Sequence, residues 1–326
     1  MKEKIITKKI LKWYDLNKRP LPWRKKVSVE KKQYYTLISE FMLQQTQVIT
    51  VIPFFNRFIK NLPSINSLAK VSEKKLIKLW EGLGYYSRAR NLKKSAQVIL
   101  KNFDGKLPDN FEDLITLPGI GNYTANAILA IAFNKPYIPL DGNIERVLKR
   151  YLYLKKDKEI QKDYLLQKKI VFGKTLRSSD YAQALMELGA LICKPNNPIC
   201  DQCPIIKNCK SYKKKDFSLI KNIKKNKDKY FVLKVYKKNK RYLLIKNTKF
   251  NFLKNLTIFP MEELSNPKNF NENLNFKMSN MNMNIKIEYS NDNKKFPYSY
   301  WVDGTKMNSY MLPSFTKKIV QYLEKN

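Results

Sequence analysis

The sequence predicts a mostly α-helical N-terminal part joined to a small α+β C-terminal domain. Three observations predict it. Apolar residues recur at helical spacing up to about residue 210, short β-like runs replace them after residue 230, and a Lys-rich, poorly periodic stretch, 211–229, separates the two as a solvated linker. At about 150 residues per domain, 326 residues suggest two domains, and 43% hydrophobic residues supply a core and argue against disorder.

The elements follow in order. Residues 1–19 read as an amphipathic helix, with Ile6, Ile10, Trp13 and Tyr14 on one face and no signal-peptide core. A second helix carries Leu37, Ile38, Phe41 and Met42, and a further one carries Ala89, Leu92, Ala96 and Ile99. Leu62-Pro63-Ser64 and Leu107-Pro108-Asp109 mark short connections, and no repeat of fixed period is present. Helices are expected over 111–116, 123–133 and 144–154. In the C-terminal domain, 230–326, strands are expected over 230–236, 242–246, 256–259, 285–289 and 298–302, followed by a helix over 313–323. The Asn- and Met-rich stretch 262–284 carries little structural signal.

Composition limits the chemistry. The chain contains no histidine, which excludes Ser-His-Asp and Cys-His nucleophile systems, His-containing zinc sites and any imidazole acid or base. Sixty-four basic residues against 27 acidic ones give a formal charge of +37, a field that favours nucleic acid as the partner. Only nine of the 64 are arginine, so AT-rich coding also contributes to this bias, and the charge supports nucleic-acid binding without proving it. No apolar run approaches the ~20 residues that span a bilayer, so a soluble, intracellular protein is expected.

Three features carry chemistry. Cys193, Cys200, Cys203 and Cys209, the only cysteines, are spaced C-x6-C-x2-C-x5-C, which points to a metal centre rather than disulfides; ligand chemistry leaves zinc and iron–sulfur open. Leu117-Pro118-Gly119-Ile120-Gly121 lies between two helical segments, where glycines allow a tight turn with outward N–H groups suited to phosphate. Glu40, among apolar helix neighbours, should be desolvated and protonated near neutrality, whereas Asp141, at a helix start, should be held ionised by backbone N–H groups and the helix dipole. Such a pair suits cleavage of a glycosidic bond: the acid activates the leaving base and the carboxylate offsets oxocarbenium charge.

The cysteine spacing resembles the 4Fe–4S loop of the endonuclease III superfamily of DNA glycosylases, and the PGIG turn resembles its helix-hairpin-helix. SEFMLQQTQVITVIPFF, LWEGLGYYSRARNL, LPGIGNYTANAILA, PLDGNIERVL and ALMELGALIC narrow the likeness to adenine DNA glycosylases of the MutY type, continuously over about residues 8–210. The resemblance implies a monofunctional enzyme that removes adenine mispaired with 8-oxoguanine or guanine in double-stranded DNA. It also implies a 4Fe–4S cluster on the four cysteines, with Lys194, Lys207 and Lys210 facing phosphate, and a monomer in the bacterial cytoplasm, associated with the nucleoid. It makes Glu40 the acid, Asp141 the oxocarbenium stabiliser and Asn143 a positioning residue. Trp23, Arg24 and Glu187 lie near the adenine pocket, Gln45 and Tyr85 wedge into the duplex, and Gly119 and Gly121 meet phosphate. Tyr123 stands where bifunctional relatives place a Schiff-base lysine.

The chain also departs from this pattern. The stretch between Trp23 and Glu40 is about four residues longer and lacks the usual Pro-Tyr. The C-terminal domain is expected to be Nudix-like but diverged: it has no Glu-rich Nudix box, and Asn280-Met281-Asn282 replaces a Phe-Ser-His motif, leaving Asn280 and Asn282 as candidate contacts to a base edge. Two alternatives stand beside the leading reading: a bifunctional endonuclease III-like enzyme on oxidised pyrimidines, and an inactive iron–sulfur DNA-binding scaffold.

Overall fold

The computed structural model describes residues 2–154, 175–218, 226–265, 267, 270–278, 281–291, 295–310 and 312–325. The chain divides into two compact units: Met1–Ser72 with Ser87–Asn222, and Glu73–Tyr86 with Ile223–Asn326.

The first unit is helical. In chain order its early helices are α1 (Lys2–Asn17), α2 (Val29–Leu43), α3 (Val48–Asn61) and α4 (Ile65–Lys70). The short α5 (Glu73–Trp80) belongs to the second unit, and α6 (Tyr86–Asn102) returns to the first. Then follow α7 (Phe111–Thr116), α8 (Asn122–Ile131), α9 (Gly142–Leu152), α10 (Ser178–Glu187) and α11 (Lys210–Lys213). Eight consecutive-turn residues of α2, including Thr36, Ser39 and Glu40, are buried, because α2 packs between α3 and α8 rather than lying on the surface. Ala125, Ala127 and Ala130 on α8 are buried. A second core joins Ile6, Ile10 and Tyr14 of α1 to Ile144 and Val147 of α9 and to Tyr181 and Leu185 of α10. The helices expected over 123–133 and 144–154 run from 122 to 131 and from 142 to 152.

The second unit contains two four-stranded sheets and a final helix, α12 (Ser314–Leu323). Its strands are β1 (Lys227–Val235), β2 (Lys237–Lys238), β3 (Arg241–Lys246), β4 (Thr257–Ile258), β5 (Met261–Leu264), β6 (Leu274–Met278), β7 (Met281–Tyr289) and β8 (Ser299–Asp303). One sheet runs β5-β1-β7-β6, with β1 and β7 parallel and the other pairs antiparallel; the other runs β2-β3-β4, with β8 on β3. Phe231, Leu233, Tyr242, Leu244, Met283 and Ile285 bury against Phe315 and Ile319 of α12.

The stretch 262–284, expected to carry little structure, holds most of β5, all of β6 and the first part of β7. Met281, Met283, Ile285 and Ile287 alternate with Asn282, Asn284 and Lys286, a period-two pattern obscured by the low strand preference of asparagine. Of the stretch 211–229 expected as a linker, 211–213 belong to α11 and β1 begins at 227, while 219–225 lie outside the described residues. Among the described residues no helix is long and apolar enough to cross a membrane.

Candidate active site

A cleft of about 760 Å³ in the first unit is lined by Trp23, Arg24, Glu40, Gln45, Tyr123, Asp141, Asn143 and Glu187, all singled out in the sequence. Glu40 projects from the buried middle of α2 and is only 4% exposed. Burial raises its pKa to about 7; the Tyr123 hydroxyl donates a hydrogen bond that opposes the shift, while the nearby Asp141 charge adds to it. Its Oε2 atom is buried without a hydrogen-bond partner. An unsatisfied carboxyl oxygen of this kind is costly unless it carries a proton or meets a ligand. Tyr123 is itself raised well above its ordinary value by burial and by the two carboxyls, so it stays a donor at any ordinary pH.

Asp141 caps α9. Its Oδ1 accepts the Ile144 N–H at 2.7 Å, and its Oδ2 accepts the Asn143 side-chain amide at 2.9 Å. The expectation that these bonds depress its pKa needs correction. Burial is the largest influence and raises it, outweighing the Ile144 and Asn143 hydrogen bonds and the Arg146 charge. The two carboxyls still differ in kind. Three groups hold Asp141 back toward the anion, whereas Glu40 has only Tyr123 and the more distant Arg24 charge.

Glu187, 0% exposed, is held by a bidentate pair from Arg19 (2.7 and 2.9 Å) and by Arg24 at 2.9 Å. Arg24 also donates to Gln183 Oε1 at 2.7 Å, and Trp23 packs edge-on against Phe55. Gln45 follows α2 in the left-handed region, with φ 57°, on an exposed turn. Buried Arg88 fixes that turn, donating to the carbonyls of Phe41, Met42 and Gln44 at the end of α2 and to Thr46 Oγ1. Tyr85 lies in the second unit, 40% exposed and also left-handed.

The helix-hairpin-helix is α7, the 117–121 turn and α8. Gly119 has φ 82°, and a Cβ there would lie 2.8 Å from Asn91 and 2.9 Å from Phe41, so glycine is required twice over. Gly121 differs from expectation. Its backbone is extended, with φ −102°, and a Cβ would meet open space, so it serves as the cap position of α8 rather than as a conformational hinge.

Arg19, Gln183, Arg88, Arg146 and Gly189 escaped the sequence reading. Arg146 donates to Asn143 Oδ1 (2.8 Å), the Gly189 carbonyl (2.6 Å), the Cys193 carbonyl (2.7 Å) and the Gly142 carbonyl (3.1 Å), tying the first turn of α9 to the cysteine loop. Gly189 sits in a π-helical turn, 188–192, where a Cβ would come within 2.6 Å of Asn143. A glycine inside a helical pattern, as in Glu187-Leu188-Gly189-Ala190, was the available signal.

All four cysteines line one small cavity with Arg150, Tyr212 and Phe217. Among the described residues no three His, Cys, Asp or Glu side chains converge closely enough to chelate a single ion. Four thiols lining one cavity are a donor set that fits a thiolate-held metal centre, either zinc or an iron–sulfur cluster. Arg150, 2% exposed, reaches Cys193 Sγ at 3.5 Å and the carbonyls of Lys194 and Pro195, which sets a buried positive charge beside the thiols. Lys194, Lys207 and Lys210 are exposed on this loop.

The family described as "HhH-GPD superfamily base excision DNA repair protein" matches residues 38–170. The chain is 40% identical over 266 residues to the adenine DNA glycosylase of Buchnera aphidicola subsp. Schizaphis graminum, covering 78% of this chain and 74% of that protein. It is 39% identical over 211 residues to the human adenine DNA glycosylase, covering 62% of this chain and 38% of the human one. Among solved structures, a thermostable thymine-DNA glycosylase is similar with TM-score 0.57 and 28% identity, over 65% of this chain and 97% of that one. An endonuclease III trapped on DNA shares the fold, with TM-score 0.54 and 23% identity, over 66% of this chain and 98% of that one.

Proposed function

The chain belongs to the adenine DNA glycosylase family, within the helix-hairpin-helix superfamily of base excision repair, and from that premise we propose that it releases adenine from A:8-oxoguanine and A:guanine mispairs, acting as a monofunctional glycosylase and a monomer. The observation that carries this reading is Glu40, buried in the cleft with its proton retained to about pH 7 and facing the charge of Asp141. Base excision needs a neutral acid beside an anion at the same nucleotide. Glu40 protonates the adenine as the N-glycosidic bond breaks, and the Asp141 carboxylate offsets the positive charge that develops on the sugar. Tyr123 and Asn143 hold those two carboxyls in place through their hydrogen bonds. Arg19, Arg24, Glu187 and Gln183 form a rigid polar wall of the cleft, suited to a flipped purine.

Monofunctional chemistry is supported by the lining of the cleft, in which no described residue is a lysine and Tyr123 occupies the critical position. We read Cys193, Cys200, Cys203 and Cys209 as ligands of a 4Fe–4S cluster, which when bound supplies a rigid scaffold for the basic loop rather than a chemical step. The helix-hairpin-helix, with Gly119 and Gly121, binds backbone phosphate. The mixed sheet and final helix of the second unit support a diverged Nudix-like domain. Asn282 lies on β7, where its side chain donates to Asp228 and accepts from Asn226; Asn280 lies outside the described residues.

The test is single-turnover adenine release from A:8-oxoG, A:G and A:T duplexes at fixed salt. Release from both mispairs and not from A:T is expected, without a borohydride-trapped covalent complex. A trapped complex would favour the bifunctional reading. Mispair binding without free adenine would favour an inactive scaffold.

A further inference from the structure

Residues 73–86 group with the C-terminal half of the chain rather than with the helices on either side. Two contacts within this unit fix the segment. At one end, Lys317 on α12 donates to Glu81 Oε1 at 2.6 Å while Lys78 donates to Oε2 at 2.9 Å, and the Lys317 and Glu81 side chains are each only 18% exposed. Beside it, Tyr86 lines a narrow groove with Ile77, Lys78, Glu81, Leu256, Leu312 and Pro313.

The turn beside these anchors follows an unusual backbone path. Gly82, Gly84 and Tyr85 all lie in the left-handed region, with φ of 100°, 74° and 47°, and the Trp80 indole N–H closes the turn on the Gly84 carbonyl at 3.0 Å. Tyr85 ends this turn, directly before α6, with an exposed side chain. A tyrosine in left-handed backbone costs of order 1–3 kcal/mol and persists only where the surroundings over-determine it. Here the over-determining contacts include α12 and the 312–313 segment, almost at the end of the chain.

We propose that Lys317 is a positioning residue for mispair recognition: through Glu81 it holds the turn that presents Tyr85, so that the C-terminal unit acts on discrimination between 8-oxoguanine and guanine by way of this turn. The proposal rests on the reading of Tyr85 as a residue that enters the duplex beside the mispair. It gives α12 and the 312–313 segment a role in specificity exercised through Tyr85 of the same unit rather than by their own contact with the lesion, which suits a chain lacking the Phe-Ser-His motif.

The test uses the full-length, cluster-loaded protein. Single-turnover adenine release is measured on A:8-oxoG and A:G duplexes, together with duplex affinity, for Lys317→Met, Glu81→Gln, Tyr85→Ala and the Lys317→Met/Tyr85→Ala pair. Lys317→Met and Glu81→Gln are each expected to lower the A:8-oxoG over A:G preference at least roughly threefold, the scale of a partly buried ion pair, with the maximal rate on A:8-oxoG unchanged. The double variant should be no worse than Tyr85→Ala alone, and Lys317→Arg should restore the preference. If Lys317→Met proves poorly folded, the charge-swapped pair Glu81→Lys/Lys317→Glu replaces it and should recover the preference that either single reversal loses. If Tyr85→Ala changes the preference but the Lys317 and Glu81 variants do not, or if the effects simply add, the proposal is overturned while the reading of Tyr85 stands. If Tyr85→Ala leaves the preference unchanged, that reading fails and takes the proposal with it.

Discussion

Glu40 holds its proton because α2 buries it, and burial has a measurable cost. The folded carboxyl keeps its proton to about pH 7, whereas the unfolded chain releases it near 4.5, so the penalty is absent below about pH 4.5 and complete above about pH 7. At pH 8 that penalty is about 3 kcal/mol. Glu40→Gln should therefore raise the melting temperature at pH 8, with little change at pH 4.5, while lowering adenine release about 10²–10⁴-fold. Thermal scans at the two pH values and single-turnover assays check both halves; undiminished release by the variant would remove Glu40 as the acid. Wild-type release should fall as pH rises through about 7, because the acid must be protonated, and a profile rising through neutrality would contradict this. Asp141→Asn keeps a good helix cap, so it should lose release while retaining fold and duplex binding. The Glu40 environment was legible from its apolar neighbours in sequence. That of Asp141 was not, because the sequence shows the cap but not the walls of the cleft that desolvate it.

At the scale of elements, the first turn of α9 is held from outside. Arg146 links Asn143 to the Gly189 and Cys193 carbonyls, and Gly189 leaves room for Asn143 to pack against the π-helical turn. Gly189→Ala should push Asn143 away and destabilise the protein by roughly 1–3 kcal/mol, with release falling more than duplex affinity. Arg146→Met should produce the same split, read as reduced single-turnover rate at saturating enzyme with near-normal binding. If affinity and rate fell together, Arg146 would be a DNA contact instead. Helix periodicity, the Asp141 cap and the PGIG turn could be read locally, since each depends on residues a few positions apart. The strands within 262–284 could not, because β6 and the asparagine-bearing β7 gain their stability from pairing with each other, from β1 beside β7, and from the core shared with α12.

At the scale of the whole molecule, a formal charge of +37 makes duplex affinity depend steeply on salt. Raising salt from 50 to 200 mM should weaken binding by roughly 10³–10⁵-fold if 6–10 phosphates are neutralised. Loss of the proposed 4Fe–4S cluster, by chelation or by Cys203→Ser, should remove its visible absorbance and weaken duplex binding through the Lys194, Lys207 and Lys210 loop. Base release at saturating enzyme should suffer less, apart from strain transmitted through the Arg146 link to Cys193. Retained affinity in the absence of the cluster would show that the loop needs no metal to meet DNA.

The order of residues alone determined the helical spacing, the C-x6-C-x2-C-x5-C grouping of the cysteines, the absence of imidazole chemistry, and the presence of carboxyls at 40 and 141. These are properties of residue type and short-range spacing, which the chain carries in any conformation. Tertiary structure decided the protonation of both carboxyls, the enclosure of Glu187 by Arg19 and Arg24, the Arg146 link, and the placement of 73–86 with the C-terminal half. Desolvation and ion pairing are set by which distant segments exclude water from a group, and only the folded chain brings those segments together.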